Sequence, residues 1–186
     1  MIFVLSAPSG SGKTTIARSI LDQFDQLSFS VSATTRTRRP KEIDGKDYFF
    51  LSREEFDRRI TAGGLVEWEE IYGNLYGTLK AEVDRVLEAD EHLLFDIDVK
   101  GALSVKQIYA EQAVLVFIKP PSLEVLRERL ERRGTDSADV IDRRMQRSQW
   151  EIEQAEHFDH VVVNDDLSLS IPAVAGLITT YLNHGK

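Results

Sequence analysis

The chain has 186 residues, of which 42% are hydrophobic and 29% charged, as is typical of one globular domain with a substantial core. It contains no cysteine, which excludes disulfides, thiolate metal sites and cysteine nucleophiles. Its net charge of −8 argues against general affinity for nucleic acid or anionic membrane, and no apolar run approaches the roughly 18–20 residues of a membrane helix.

The N-terminal segment predicts a buried strand that leads into a glycine-rich loop and a helix. Ile2–Ser6 is apolar, and no basic segment precedes it, so it is typical of a first strand and not of a signal peptide. Lys13–Phe24 has the periodicity of an amphipathic helix. With the absence of cysteine, these features lead us to expect a cytoplasmic protein.

Further along, short apolar runs alternate with longer amphipathic stretches. The predicted strands are Leu93–Phe95, Val114–Ile118 and Val161–Val163, and the predicted helices are 99–109, 122–133 and 170–183, with Pro172 in the first turn of the last one. This alternation predicts an α/β fold with a mostly parallel sheet flanked by helices.

Residues 32–80 break that alternation and indicate a small subdomain. A short helix is predicted at about 53–61, with Ser52 and Glu55 as a capping box. Candidate strands of the subdomain are Phe29–Ser32, Tyr48–Leu51 and Val66–Ile71. We therefore expect a core formed by 1–31, 81–133 and 158–186, an inserted subdomain at 32–80, and a lid region at 134–157.

The loop between the first strand and helix carries the strongest motif in the sequence. It reads Ala7-Pro8-Ser9-Gly10-Ser11-Gly12-Lys13-Thr14 and continues into Thr15. Backbone N–H groups of such a loop surround a polyphosphate, a lysine reaches its β- and γ-phosphates, and the following hydroxyl binds Mg²⁺. Ala7 stands where the motif has its first glycine, so its φ must be negative and its methyl group must fit.

A carboxylate at the end of a buried strand complements this loop. Asp96 follows the apolar run Leu93–Phe95, from which it can approach Mg²⁺ directly or through water, together with Thr14. Asp98 lies two residues further, on the same face of the strand. A carboxylate at a strand end is a common feature, so it supports nucleotide binding only together with the loop.

Several motifs between residues 32 and 80 resemble those of the guanylate kinases. They are Ser32-Ala33-Thr34-Thr35-Arg36-Thr37-Arg38-Arg39-Pro40, Asp44-Gly45-Lys46-Asp47-Tyr48, Val66-Glu67-Trp68 and Gly73-Asn74-Leu75-Tyr76-Gly77-Thr78. The resemblance runs from Phe3 to about Asp166. It implies a P-loop kinase of nucleoside monophosphates, with a mixed GMP-binding subdomain and a helical lid.

The resemblance also implies an acceptor site for GMP. Arg36 and Arg39 would hold its phosphate through fork-shaped donors, joined by the hydroxyls of Tyr48 and Tyr76. Glu67 would accept hydrogen bonds from guanine N1–H and the 2-amino group, an edge that adenine lacks. The further residues of the implied site are Ser32, Thr78, Asp96 and Asp98.

A second arginine cluster is assigned in the same way to the lid. Arg133 and Arg144 match the catalytic arginines of the family, although the adjacent Arg132 and Arg143 leave each assignment open by one residue. They would neutralise charge on the transferred phosphoryl group. Asn164 matches a residue near the adenine of ATP. Arg127, Arg129 and Arg147 are interpreted as solvated residues on helix faces.

The predicted reaction is reversible, Mg²⁺-dependent transfer from ATP to GMP, with dGMP as a second acceptor, giving ADP and the diphosphate. Two alternatives stay open. A kinase of another small molecule, such as a ribose phosphate, would need the loop but not Glu67 or the Arg36/Arg39/Tyr48 set. A guanylate-kinase-like scaffold module would keep the fold without ATP chemistry. The sequence gives no oligomeric state.

Overall fold

The computed structural model describes residues 1–71, 73–134 and 137–184, and the side chains of these except Ile71, Arg133 and His184. The strands are β1 (Ile2–Ser6), β2 (Leu27–Phe29), β3 (Ala33–Thr34), β4 (Phe49–Phe50), β5 (Leu65–Ile71), β6 (Asn74–Leu79), β7 (His92–Asp96), β8 (Ala113–Lys119) and β9 (His160–Val163). The helices are α1 (Lys13–Leu21), α2 (Arg53–Thr61), α3 (Lys80–Glu88), α4 (Val99–Tyr109), α5 (Leu123–Arg133), α6 (Ala138–Glu153) and α7 (Leu167–His184), with 3-10 turns at Ala110–Gln112 and Gln154–His157.

A parallel sheet in the order β2-β7-β1-β8-β9 forms the core. Strand β1 lies at its centre and is buried along its whole length, because apolar side chains point to both faces. Helices α1 and α7 cover one face through residues such as Ile16 and Ile178. Helices α3 and α4 cover the other through residues such as Val83 and Val105. The predicted fold class is confirmed.

Two boundaries in this core differ from the sequence prediction. The strand expected at Phe29–Ser32 in the subdomain is instead β2 (Leu27–Phe29), which pairs with β7 at the edge of the main sheet. Helix α1 ends at Leu21 and not at Phe24, because its last turn tightens: the N–H groups of Gln23 and Phe24 both donate to the Ile20 carbonyl.

Helix α7 also begins earlier than predicted, so Pro172 lies inside the helix and not in its first turn. Asp166 starts the helix: its carboxylate accepts from the Ser168 N–H at 2.8 Å, and its carbonyl accepts from the Ser170 N–H at 3.0 Å. The proline therefore replaces one backbone donor of the second turn. Proline is most common in the first turn of a helix, and this preference predicts a later start for α7 than the one observed.

A second sheet, in the order β4-β3-β6-β5, lies within residues 32–80. Strands β3 and β4 run parallel, whereas β6 is antiparallel to β3 and β5. Helix α2 begins as predicted, because the Ser52 hydroxyl accepts from the Glu55 N–H at 3.1 Å. Phe56 of this helix is fully buried among Ala33, Leu75 and Leu79. The division into core, subdomain and lid stays a prediction.

The lid region predicted at 134–157 contains helix α6. Gly134 ends α5 in the left-handed conformation, at φ 66°. Arg127 of α5 reaches the Asp142 carboxylate of α6 at 2.7 Å, and Ile141 and Ser148 are buried. Helix α6 is thus held against helix α5 and buries one of its own faces. Among the helices of the described residues, none is long and apolar enough to cross a membrane.

Candidate active site

The phosphate loop leaves the carboxyl end of β1 and enters α1. Gly10 and Gly12 have φ values of 97° and 88°, which explains the glycines at these positions. A Cβ on Gly12 would lie 2.4 Å from the Asn164 side-chain nitrogen, so this close approach also requires glycine. Ala7 meets both conditions expected from the sequence. It is not among the described non-glycine residues with positive φ, which are Asp90 and Ala110, and its methyl group packs in the core.

Lys13, Thr14 and Asp96 converge at the start of α1. The Lys13 ammonium lies 2.6 Å from the Asp96 carboxylate and donates to the Ile97 carbonyl at 2.6 Å. The Thr14 hydroxyl donates to the other oxygen of Asp96 at 3.0 Å. A hydroxyl beside a carboxylate is a hard-oxygen pair that suits Mg²⁺, which takes its other ligands from water and phosphate. The residues present therefore fit the predicted metal.

Arg144 of helix α6 contacts the phosphate loop. Its guanidinium donates to the Ser9 hydroxyl at 2.8 Å, and it lines a cavity of about 600 Å³ over the loop. Arg143 instead donates to the Asp139 carbonyl of its own helix at 3.2 Å. The geometry thus favours Arg144 over its neighbour as the lid arginine. The predicted role of the Arg133 side chain falls outside the described residues.

The prediction that Arg129 is a solvated helix-face residue is wrong. From α5 its guanidinium donates to the carbonyls of Asn164 at 3.0 Å and Asp165 at 3.2 Å. It lines a second cavity with Gly10 and Gly12, on the other side of the phosphate loop. The prediction fails because arginines occur all around this helix, so the sequence does not show which of its faces contacts a neighbouring segment. One sequence feature could have indicated the face: Arg129 precedes Arg133 by four residues, and such residues lie on the same side of a helix.

Asn164 is almost completely buried at the floor of this second cavity. Its amide donates to the Ser11 carbonyl at 2.7 Å and accepts from the Ser170 hydroxyl at 2.8 Å. The residue therefore ties the phosphate loop to the start of α7. Its predicted place near adenine is consistent with this cavity, and its role toward a nucleotide stays a prediction.

Arg36 is fixed in the small sheet by a carboxylate that the sequence analysis did not single out. Its guanidinium pairs with Glu42 at 2.7 Å and lies 5.4 Å from the ring centroid of Tyr48. The second Glu42 oxygen accepts from the Arg39 backbone N–H at 2.8 Å. The hydrogen bond from Arg36 is the main cause that lowers the pKa of Glu42. A glutamate in a charged loop carries no pattern that could have revealed this role.

Tyr48 and Tyr76 pack edge to face, with ring centroids 6.1 Å apart. Tyr76 and Thr78 lie two residues apart on β6 and so point to the same side of the small sheet. Ser32 lies next to Tyr48, because its carbonyl accepts from the N–H of the following residue, Phe49, at 2.9 Å. The structure thus brings these residues together at the small sheet, whereas Asp96 ends β7 and Asp98 starts α4 in the core.

Glu67 lies on β5 next to Thr78, whose hydroxyl donates to its carboxylate at 2.6 Å. Burial is the main cause that raises the pKa of Glu67, and the nearby charge of Asp98 adds to it. A Cβ on Gly101 would lie 3.3 Å from both the Glu67 side chain and the Asp98 carboxylate, so the two acids meet at the start of α4. Asp98 lines both this pocket and the phosphate-loop cavity.

Arg147, the last of the arginines assigned to a solvated helix face, is half-exposed on α6 but also forms ion pairs that the sequence does not predict. Its guanidinium donates to the Asp98 carboxylate at 2.8 Å and to the Glu151 carboxylate at 2.9 Å. It therefore lines the phosphate-loop cavity and contacts Asp98, which also lines the pocket beside Glu67. The exposed side of α6 and its cleft side both carry arginine, so composition did not distinguish them.

Comparisons with known proteins identify the family of the chain. The guanylate kinase family profile matches residues 1–181. Among similar proteins, the guanylate kinase of Chlorobaculum tepidum is 49% identical over 181 residues, covering 97% of this chain and 93% of its own. That of Salinibacter ruber is 52% identical over 179 residues, with 96% and 93% covered.

A solved structure gives the same result. The crystal structure of guanylate kinase from Anaplasma phagocytophilum superposes with a TM-score of 0.72 at 32% identity, covering 97% of this chain and 85% of its own. These matches confirm the family resemblance and the enzyme class predicted from the sequence, a nucleoside monophosphate kinase. The chain belongs to the guanylate kinase family.

Proposed function

We propose that the protein catalyses the reversible transfer of the γ-phosphoryl group of ATP to GMP, giving ADP and GDP in purine nucleotide metabolism. One observation carries the proposal: Asp98 joins a phosphate-loop cavity, lined by Lys13, Thr14 and Asp96, to a pocket in which Glu67 is held by Thr78. Phosphate-binding and base-reading groups are thus adjacent. dGMP offers the same base and phosphate to these residues, so we expect it to be a second acceptor.

On the donor side, the backbone N–H groups of the phosphate loop and the Lys13 ammonium would bind the ATP phosphates. Thr14 and Asp96 would hold Mg²⁺, which would neutralise charge on these phosphates when bound. Arg129 and Asn164 would flank the adenine, because they line the cavity on the far side of Gly10 and Gly12.

On the acceptor side, Arg36, Arg39 and the hydroxyls of Tyr48 and Tyr76 would hold the GMP phosphate. Glu42 keeps the Arg36 guanidinium in place. Glu67 would accept from N1–H and the 2-amino group of guanine, with its orientation fixed by Thr78. Adenine lacks these paired donors and would leave the half-buried carboxylate with the Thr78 hydroxyl but without the two donors of guanine, which is costly.

The attacking group is an ionised phosphate oxygen of GMP, so the reaction needs no strong general base. Positioning of the two substrates and neutralisation of charge would then provide the catalysis. Lys13 would contribute one positive charge for this purpose, and Arg144, which contacts the phosphate loop at Ser9, would contribute another. Arg133 is the remaining arginine for which the family resemblance implies this role. Closure of the lid region would exclude water and limit ATP hydrolysis.

The test is ADP formation from MgATP with GMP, dGMP, AMP, CMP, UMP or ribose 1,5-bisphosphate, and with no acceptor. We expect turnover with GMP and dGMP only. We expect the kcat/KM for GMP to fall at least ~100-fold in Lys13→Ala, since a positive charge at the transferred phosphate is lost. Arg58→Gln, which changes an exposed arginine of α2, should leave it unchanged.

Three other results would contradict the proposal in different ways. Turnover with ribose 1,5-bisphosphate instead of GMP would keep the kinase and discard the guanine site. GMP binding without turnover would favour a scaffold module. ATP hydrolysis without acceptor, at a rate near that of transfer, would contradict the closed-site mechanism.

A further inference from the structure

Arg147 joins three parts of the molecule through one side chain. From helix α6 it donates to Asp98, which starts α4, at 2.8 Å, and to Glu151 of its own helix at 2.9 Å. Its remaining terminal nitrogen lies 3.6 Å from the Glu69 carboxylate on β5 of the small sheet. The lid region, the core and the acceptor subdomain therefore meet at this guanidinium.

The contact fixes Asp98 from both sides. One oxygen of this carboxylate accepts from the Gly101 N–H at 2.9 Å, as the N-terminal cap of α4, and the other accepts from Arg147. A carboxylate held at both oxygens keeps one orientation, and charge-assisted bonds of this kind are the stronger ones. Without Arg147 only the helix cap would orient Asp98.

Arg147 also offsets a concentration of negative charge around the acceptor pocket. Glu67, Glu69, Asp98 and Glu151 contribute carboxylates here. The cavity beside Glu67 also includes Lys100, but its ammonium lies over the Trp150 ring, 5.9 Å from the centroid. An acceptor that carries an anionic phosphate would approach such a pocket less readily if the guanidinium were removed.

The same helix carries Arg144 one turn earlier. Arg144 contacts Ser9 on the donor side, and Arg147 contacts Asp98 and Glu69 on the acceptor side. We propose that Arg147 is a positioning residue that holds Asp98 and Glu69 from helix α6, so that acceptor binding and docking of Arg144 at the phosphate loop depend on one another. This inference rests on the proposed kinase function.

The test compares Arg147→Gln, Arg147→Lys and the control Arg143→Gln, whose side chain contacts only its own helix backbone among the interactions described. Steady-state kinetics would give kcat and both KM values. In Arg147→Gln we expect the KM for GMP at saturating ATP to rise ~10-fold, a typical coupling between sites, and by reciprocity the KM for ATP at saturating GMP to rise by a similar factor. Binding of a non-hydrolysable ATP analogue without GMP should stay within ~2-fold. Arg147→Lys should restore most of the loss, and Arg143→Gln should match the wild type.

Coupling is measured separately by calorimetric titration of GMP with and without a non-hydrolysable ATP analogue. We expect the analogue to tighten GMP binding in the wild type and to do so much less in Arg147→Gln. In Asp98→Asn, adding Arg147→Gln should have little further effect, because the two residues act as one unit.

Each remaining outcome overturns the inference. An unchanged KM for GMP in Arg147→Gln, or an effect equal to that of Arg143→Gln, would show that Arg147 positions nothing. A lowered melting temperature with kcat and both KM values unchanged would leave only a structural role. Absence of GMP-dependent ADP formation in the wild type would overturn the proposed function and this inference together, whereas normal wild-type turnover with an unaffected variant overturns the inference alone.

Discussion

At the scale of single residues, the fold disfavours the charge that Glu67 needs for its proposed role toward guanine. Its charged form is disfavoured by burial and by the nearby Asp98, which raise its pKa above the ordinary value of 4.5. The Thr78 hydroxyl offsets only part of this cost. The free protein therefore carries an unfavourable charge that a paired guanine edge would satisfy.

Glu67→Gln should stabilise the protein at pH 7 while it weakens GMP binding. A pKa that is raised in the folded state favours folding below about pH 4.5, and this contribution is lost as the pH rises through the folded pKa. The neutral amide avoids that loss. We expect a melting temperature ~2–4 °C higher, or about 1 kcal/mol for a chain of this size.

The pH dependence provides the control for this prediction. The difference between Glu67→Gln and the wild type should shrink as the pH is lowered toward 4, where the glutamate is protonated in both states. Calorimetric melting at pH 4–8 measures it. An equal destabilisation at every pH would mean that the amide disrupts packing and that the charge of Glu67 costs nothing.

The residues that the sequence could not place are those whose partners are distant along the chain. The phosphate loop is local: strand, glycines, Lys13 and Thr14 follow one another, so spacing alone predicts their arrangement. Arg129 and Arg147 take their roles from contacts 35 and 49 residues away, with Asn164 and Asp98. Periodicity predicts that such residues lie on a helix, but it does not tell which face meets another element.

At the scale of elements, the buried strands of the main sheet were predictable, and those of the small sheet were predictable only in part. Strands β1, β7 and β8 are apolar runs buried on both faces, which the sequence displays directly. Strand β4 lies within the predicted strand Tyr48–Leu51, whereas β3 has two residues, matches no predicted strand and forms through pairing across the subdomain. No local pattern marks a strand of that length, so tertiary pairing decides it.

Helix α2 is held to the small sheet mainly by Phe56, which is fully buried against Ala33, Leu75 and Leu79. Phe56→Ala should lower the free energy of unfolding by about 3–5 kcal/mol, as for other buried phenylalanines. Because this sheet carries Tyr76, Thr78 and Glu67, the KM for GMP should rise more than the KM for ATP. Chemical denaturation and steady-state kinetics measure the two effects.

Ser52→Ala is the matched control in the same helix. It removes a hydrogen bond at the helix start, 3.1 Å from the Glu55 N–H, and should cost ~1 kcal/mol with little change in either KM. A KM for ATP that rises as much as that for GMP in Phe56→Ala would show that the small sheet does not act on the acceptor alone.

At the scale of the whole molecule, the two sheets differ greatly in their buried cores. Helices pack on both faces of the main sheet, around the fully buried residues Phe3, Leu94 and Phe117. The hydrophobic cluster of buried residues described between the small sheet and α2 has four members, Ala33, Phe56, Leu75 and Leu79. Regions with few buried contacts open at lower free energy than a large core does.

Amide hydrogen exchange should therefore separate the molecule into two units. We expect β1, β7 and β8 to exchange slowest, and β3, β4 and β6 to exchange at least ~10-fold faster, since ~1.4 kcal/mol of opening free energy suffices for that ratio. GMP should slow exchange in β3, β5 and β6 and leave β9 unchanged, because only the former carry or adjoin the acceptor residues. A single exchange rate across both sheets, or protection by GMP confined to the main sheet, would contradict a separately opening acceptor subdomain.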